Sequence, residues 1–198
     1  MPNKIQLVAI LGLCAVLTAG CSSVKKAETP KQAMANMRQA MLDGDGDAFA
    51  ACFDADEKQT KMLKMSCEMF NAMHKFNEAM KKSYGDKAPK GMSSSMDELR
   101  DEKWEEKLEI KIDGEKATAK MAGKSDELDL LLKDGVWKIS AKDMVPEKDD
   151  AAFDKELKQA EAMIQAYKDL TPKIGTEGYT VEKVMKELSE AMMKSRGR

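Results

Sequence analysis

The residue type that stands out in this sequence is methionine, which supplies 17 of the 198 residues. Residues three and four apart share one face of a helix, and two methionine series keep that spacing. They are Met34, Met37 and Met41, and then Met62, Met65, Met69 and Met73. Soft thioether sulfur suits Cu(I), whereas methionine is also an adaptable filler of hydrophobic cores. The spacing is typical of a core-facing stripe, so we predict a core role and assign neither a metal site nor a cofactor.

A second candidate for metal chemistry is the acidic run of Asp43, Asp45 and Asp47, whose spacing is that of the first half of a calcium loop. Such a loop needs glycine where this chain has Ala48, and a bidentate glutamate where it has Asp54. The alanine-rich residues that follow favour a helix instead. We therefore predict no calcium site.

The first twenty residues carry a targeting pattern. Lys4 gives a basic start, and residues 5–19 form an apolar run that is too short for a membrane-spanning helix but suits a signal-peptide core. The run ends in the string LTAGC at residues 17–21, which resembles the bacterial lipobox. The resemblance implies cleavage between Gly20 and Cys21 by signal peptidase II, and attachment of diacylglycerol and palmitate at Cys21. An ordinary secretory peptide (residues 1–20) with a coincidental cysteine is the alternative.

The residues after the predicted acylation site point to the outer membrane. Ser22, rather than aspartate, follows Cys21, which in proteobacterial lipoproteins implies release to the outer membrane. Residues 21–28 form a short polar tether that spans about 25 Å when fully extended. We therefore expect the folded part to lie close to the periplasmic face of that membrane, with the bilayer as a partner through the lipid.

Two thiols and one histidine remain as candidate reactive groups. Cys52 and Cys67 could form a disulfide outside the cytoplasm. Two buried free thiols are the alternative, since the sequence does not fix the Cα separation that a disulfide requires. His74 has no evident nucleophile beside it, so we interpret it as a surface or hydrogen-bonded structural residue.

Capping residues and helical periodicity predict five helices. Their approximate ranges are residues 29–43, 47–53, 56–82, 149–169 and 180–192. Thr29 is the expected cap of the first helix, and Asp54 with Glu57 the expected capping box of the long third helix. Residues 85–95 are predicted to be a loop, and the charged run 97–107 a solvated lead-in to the first strand.

Alternation of apolar and polar residues predicts four strands. They are residues 108–112, 117–121, 128–132 and 136–140. The Asp-Gly pairs at 113–114 and 134–135 are hairpin turns, and links this short join only antiparallel strands. We predict an α+β fold in which N-terminal helices pack on a four-stranded antiparallel meander, followed by C-terminal helices. Trp137 is expected on the helix-covered face, and Trp104 is expected to matter less to stability.

Two short strings resemble the nuclear transport factor 2-like (cystatin-like) superfamily. Residues 41–49, MLDGDGDAF, resemble its helix–Gly-Asp–helix step, and residues 134–139, DGVWKI, resemble its late hairpin. The resemblance implies a domain over residues 29–145 with a helical pair on a curved sheet. Residues 146–198 are a helical extension outside that pattern, which could cover the open mouth of the sheet, form a dimer contact or stand apart.

The resemblance does not carry catalytic residues with it. Enzymes of that superfamily, such as the ketosteroid isomerases, use an aspartate base with tyrosine or aspartate donors inside the cone. Here the strand carboxylates Glu109 and Asp129 alternate outward, and the three tyrosines lie outside the predicted sheet.

Charge excludes one further class of function. A net charge of −2 and a pI of about 5.7 argue against nucleic-acid binding, which needs a basic surface. We therefore predict a lipid-anchored envelope protein that is a non-catalytic binding or interaction module. A small-molecule enzyme or carrier that uses the pocket of the cone-shaped fold is the alternative.

Overall fold

The computed structural model of the chain describes residues 26–89, 94–142, 144–145 and 149–195. The predicted signal segment and the proposed acylation site, Cys21 preceded by Gly20, lie outside the described residues.

Within those residues the chain forms six α-helices and five strands. The helices are α1 (Pro30–Asp43), α2 (Gly46–Ala51), α3 (Glu57–Tyr84), α4 (Ser94–Arg100), α5 (Asp150–Leu170) and α6 (Val181–Ser195). The strands are β1 (Phe53–Asp54), β2 (Leu108–Asp113), β3 (Lys116–Met121), β4 (Glu127–Lys133) and β5 (Val136–Ser140). The predicted α+β class is therefore confirmed.

The sheet differs from the prediction by one strand. Its order is β1-β5-β4-β3-β2, and the four predicted strands pair antiparallel in sequence order. The additional strand, β1, pairs parallel with β5, with Phe53 opposite Ile139. The prediction of a four-stranded antiparallel meander is therefore wrong, because the sheet is mixed and has five strands.

The short strand β1 arises where we predicted helix. The helix expected over residues 47–53 ends at Ala51, and the chain then satisfies the open edge of β5. The Ile139 N–H donates to the Cys52 carbonyl at 3.0 Å, and the Ala141 N–H donates to the Asp54 carbonyl at 3.3 Å. A strand of two residues is too short to show an alternating pattern, so the sequence carries no signal for it.

The turn between β4 and β5 has the predicted geometry. Asp134 has a φ of 51° and Gly135 a φ of 72°, and a type I′ turn requires positive φ at both positions. The register then places Trp137 opposite Leu132, with Trp137 only 6% exposed. Trp137 faces the helices, as predicted.

Two cores lie on either side of the long helix α3. The first, the sheet core, joins the inner face of the sheet to α1, α2 and the N-terminal part of α3. Its most enclosed large residues are Phe49, Leu63, Cys67, Leu130 and Ile139. The methionines Met34 and Met37 of α1 belong to it, so the core role predicted for them is confirmed.

The second core, the helical core, joins the C-terminal half of α3 to α5 and α6. Phe76 packs edge-on against Tyr167 at 5.2 Å between ring centroids, and Val184 and Leu188 of α6 are buried. Met192, in the last turn of α6, is 36% exposed. The C-terminal helices thus pack on α3, whereas the N-terminal helices cover the sheet.

The cap of α3 lies two residues later than predicted. Asp56, not Asp54, is the N-cap, and Gln59 rather than Glu57 completes the capping box. Asp54 instead lies in β1, where its carboxylate pairs with the Lys133 ammonium at 2.6 Å. The correction follows from β1, because a residue that pairs in a strand cannot also begin the helix.

The charged run before the first long strand is exposed at most of its positions, as predicted, but it is helical in part and contains one buried side chain. It contains helix α4 and a 3-10 turn over Trp104–Lys107, so part of the predicted loop is helical as well. Trp104 is only 3% exposed and belongs to the sheet core. The sequence did not predict the burial of Trp104, because the composition of a charged segment does not show which of its side chains packs into the core.

Candidate functional site

A groove of about 250 Å³ lies between α3 and α5. Its lining consists almost entirely of apolar side chains, most of them methionine. The lining residues are Met62, Met65, Ser66, Met69, Phe70, Met73 and Ala160. We call this feature the methionine groove.

The groove exists because α5 presents a small side chain there. α5 begins beside the first turn of α3, where Lys58 pairs with Asp150, and it reaches the helical core at Tyr167. Between these points, Ala160 stands opposite the methionines of α3. A methyl group fills far less of the space between two helices than a leucine or phenylalanine would. The methionines are consequently left partly exposed.

The second methionine series combines the predicted core contact with a surface role. Met62 packs against the sheet core, and Met65, Met69 and Met73 pack against the helical core. All four are half-buried, and they also line the groove. Met80, on the same helix face, is only 2% exposed. Helical periodicity identifies the face of a helix that is apolar, but not how much of its length a partner covers.

The groove is electrically neutral. Its lining holds no charged side chain, and Ser66 is its one polar residue. An ion pair of Lys168 with Glu68 at 2.6 Å lies outside the lining and joins α5 to α3. This pair is exposed and therefore adds little stability. The site is thus suited to apolar or soft, weakly hydrated ligands.

The two predicted disulfide partners are free thiols in the structure and both are buried. The Cys52 Sγ donates to the Ala48 carbonyl at 3.3 Å, and the Cys67 Sγ donates to the Ala40 carbonyl at 3.9 Å. Burial raises the pKa of both thiols to about 11. They are therefore protonated at neutral pH, and neither lines the methionine groove. A disulfide between them stays a prediction.

The histidine is a buried residue outside the groove. His74 is 9% exposed on α3, beside the buried Asn77. Desolvation lowers its pKa, and the nearby Arg100 charge lowers it further. The side chain is therefore neutral at pH 7, and it is not among the groove residues.

The acidic run after α1 has structural roles. Asp45 accepts the Ala48 N–H at 2.9 Å as the cap of α2, and Asp47 pairs with Lys64 at 2.5 Å. Gln39 donates to Asp43 at 2.9 Å. The helix predicted in place of a calcium loop is present as α2. Among the described residues, no group of three or more histidine, cysteine or acidic side chains is placed to hold a metal ion.

The inner face of the sheet offers no catalytic pair in the part of the chain that is described. Its side chains in β2 to β5 are apolar, and helices α1 to α3 pack on most of them, whereas Ile112 at the end of β2 is 61% exposed. Glu109 and Asp129 are exposed on the opposite face, as predicted. A cavity of about 340 Å³ lies at the Ile112 end of the sheet, and Ala117 and Leu130 are also among its lining residues.

Comparison with known proteins returns no match for this chain, whether to a family model, to a curated protein or to a solved structure. Each helix in the described ranges is too short or too polar to cross a membrane.

The helical spacing in the sequence identifies the methionines of the groove but does not predict the groove. The signal that could have indicated it is the use of methionine, in place of leucine or isoleucine, over three turns of one helix face. The lining residue on α5 is Ala160. By its periodic position in the sequence, Ala160 is indistinguishable from an ordinary core residue. Its effect depends on what stands opposite, which only the packing of α5 on α3 determines.

Proposed function

We propose that this protein is a lipid-anchored envelope protein at the periplasmic face of the outer membrane, and that its folded part is a non-catalytic binding module. The methionine groove is its binding surface. The observation that carries the proposal is the groove itself, a preformed apolar space lined by flexible thioether side chains. Ligand sites are mostly apolar and largely preformed, and methionine-rich surfaces adapt to ligands of different shape.

The lipobox pattern at residues 17–21 supports the proposed location. The Ala27 carbonyl accepts the Trp137 N–H at 2.9 Å. The chain is therefore bound to the sheet only six residues after Cys21. A lipid on Cys21 would keep the domain within about 25 Å of the bilayer surface.

The resemblance to the nuclear transport factor 2-like superfamily belongs to the same proposal. A helical pair, α1 and α2, packs on one face of the sheet, and the late hairpin has its expected turn. These features support membership for residues 29–145.

The binding proposal is tested by filling the groove. Ala160→Phe places a large side chain where the groove now has a methyl group, so it should block entry. The measurement is the fluorescence of 1-anilinonaphthalene-8-sulfonate, a small apolar probe, titrated into the purified protein. Ala151→Phe is the matched control, because Ala151 is exposed on the same helix and is not a lining residue. Equal probe binding by both variants would show that the groove is not the binding surface.

The anchor is tested separately. Cys21→Ala should abolish incorporation of radiolabelled palmitate and leave the precursor uncleaved, because only the thiol accepts diacylglycerol. Cys52→Ala is the control, since a buried thiol with a pKa of about 11 should not be acylated. Palmitate labelling that persists in Cys21→Ala would contradict the proposed anchor.

A further inference from the structure

We infer that the methionine groove is a site for a soft monovalent metal ion, Cu(I), held by the thioether sulfurs of Met65, Met69 and one neighbouring methionine. The inference rests on the proposed function, because it names the ligand class of the same groove. These half-buried side chains pack against the cores, as the sequence predicts, and they also line the open groove.

The spacing of the methionines suits convergence on one ion. The rise of an α-helix is about 1.5 Å per residue, so Met65 and Met69 start about 6 Å apart along the axis of α3. Met62 and Met73 stand about one turn to either side. Each side chain has three rotatable bonds, so the sulfurs of adjacent turns can approach a common point. All four line the same groove.

The chemistry of the lining selects the ion. Thioethers are soft, neutral ligands and favour Cu(I) over hard divalent cations, which need carboxylates or carbonyls. The groove holds no carboxylate that would attract Ca²⁺ or Mg²⁺, and no imidazole that would favour Zn²⁺. A singly charged, weakly hydrated ion is also the cation that loses least on entering an apolar site.

Among the described residues, no cysteine lines the groove, and its methionines are only Met62, Met65, Met69 and Met73. Cys52 and Cys67 lie in the sheet core, and neither is among the lining residues of the groove. Met34 and Met37 lie in the same core and are 3% and 7% exposed, so an ion cannot reach them without local unfolding. Met192 and Met193 are exposed on α6 but do not line the groove.

The test is a Cu(I) titration of the full-length protein in detergent, under argon with ascorbate, against the competing chelator bathocuproine disulfonate. We expect one ion per chain with a sub-micromolar Kd. The double variant M65L/M69L removes two thioethers but conserves side-chain volume and apolar character. It should weaken binding by more than the roughly 10–100-fold that loss of a supporting group costs at metal sites.

The control variant is M192L/M193L, which removes the same number of exposed thioethers outside the groove and should bind Cu(I) like the wild type. Equal Cu(I) affinity in M65L/M69L and the wild type would overturn the inference. Absence of Cu(I) binding, with probe binding still sensitive to Ala160→Phe, would overturn the metal site but leave the proposed function standing. If the wild type binds neither Cu(I) nor the fluorescent probe, both the metal site and the proposed function are contradicted.

Discussion

Trp104 should be as important to stability as Trp137, although it lies in a charged segment. Its ring belongs to the sheet core, and the Arg38 guanidinium lies 5.3 Å from the ring centroid. Arg38 Nε also donates to the Leu99 carbonyl at 2.5 Å, and its Nη2 donates to the Asp101 carbonyl at 3.2 Å. Together these contacts hold the segment of α4 and its 3-10 turn against α1. Replacing Trp104 with alanine removes the centre of this arrangement.

The expected cost follows from burial. Truncating a buried tryptophan to alanine destabilises a protein by about 3–5 kcal/mol. The stacked guanidinium adds about 0.5–2 kcal/mol to the attachment of the ring. In a domain of this size about 1 kcal/mol shifts Tm by roughly 2–4 °C, so the combined loss should lower the Tm of Trp104→Ala by roughly 7–28 °C.

The assay is thermal unfolding followed by circular dichroism at 222 nm. Trp137→Ala, whose side chain is 6% exposed, should show a decrease of similar size. Ile112→Ala is the control, because Ile112 is 61% exposed and such surface changes cost within about 0.5 kcal/mol. If Trp104→Ala has the same Tm as Ile112→Ala while the Tm of Trp137→Ala is much lower, the attachment of the charged segment to the sheet core is wrong.

Two further predictions concern the turn and the thiols. Gly135→Ala should destabilise by about 1–2 kcal/mol, because an L-residue is strained at its φ of 72°, whereas Asp134→Gly should be nearly neutral; equal urea midpoints for the two variants would contradict the turn geometry. Because burial raises the pKa of Cys52 and Cys67 from 9.0 to about 11, the folded state holds these protons more tightly than the unfolded state. The contribution of these thiols to the free energy of unfolding should therefore be complete below pH 9 and decrease as the pH rises toward 11. Urea unfolding at a series of pH values measures this decrease. Iodoacetamide should alkylate both thiols slowly at pH 8, and an intact mass 2 Da below the reduced chain would reveal a disulfide instead.

The parts of the fold that were predicted correctly are those whose signal is local. The hairpin at Asp134 and Gly135 needs two residues that tolerate positive φ, and the sequence supplies that pair directly. The alternation of apolar and polar residues in β3 and β5 indicates which face of these strands is buried. Helix α1 carries both its Thr29 cap and its periodicity. In each case the information lies within a few residues of the element it specifies.

The parts that were missed depend on distant partners. Strand β1 exists because β5 has an open edge, and the shift of the α3 cap to Asp56 follows from it. Trp104 is buried in the sheet core, where Arg38 of α1 lies against its ring. The methionine groove depends on Ala160 of α5 standing opposite α3. None of these contacts has a pattern in its own stretch of chain, so inspection of one segment at a time could not predict them.

The central claim is that the methionine groove is the binding surface, and methionine methyl NMR tests it most directly. The protein is labelled with ¹³C at the ε-methyl groups, and spectra are recorded while 1-anilinonaphthalene-8-sulfonate is added. Single Met→Leu variants assign the signals. We expect the shifts to be confined to Met62, Met65, Met69 and Met73, because these methyl groups line the groove. Shifts confined to the exposed Met192 and Met193, with the groove methyls unchanged, would contradict the claim.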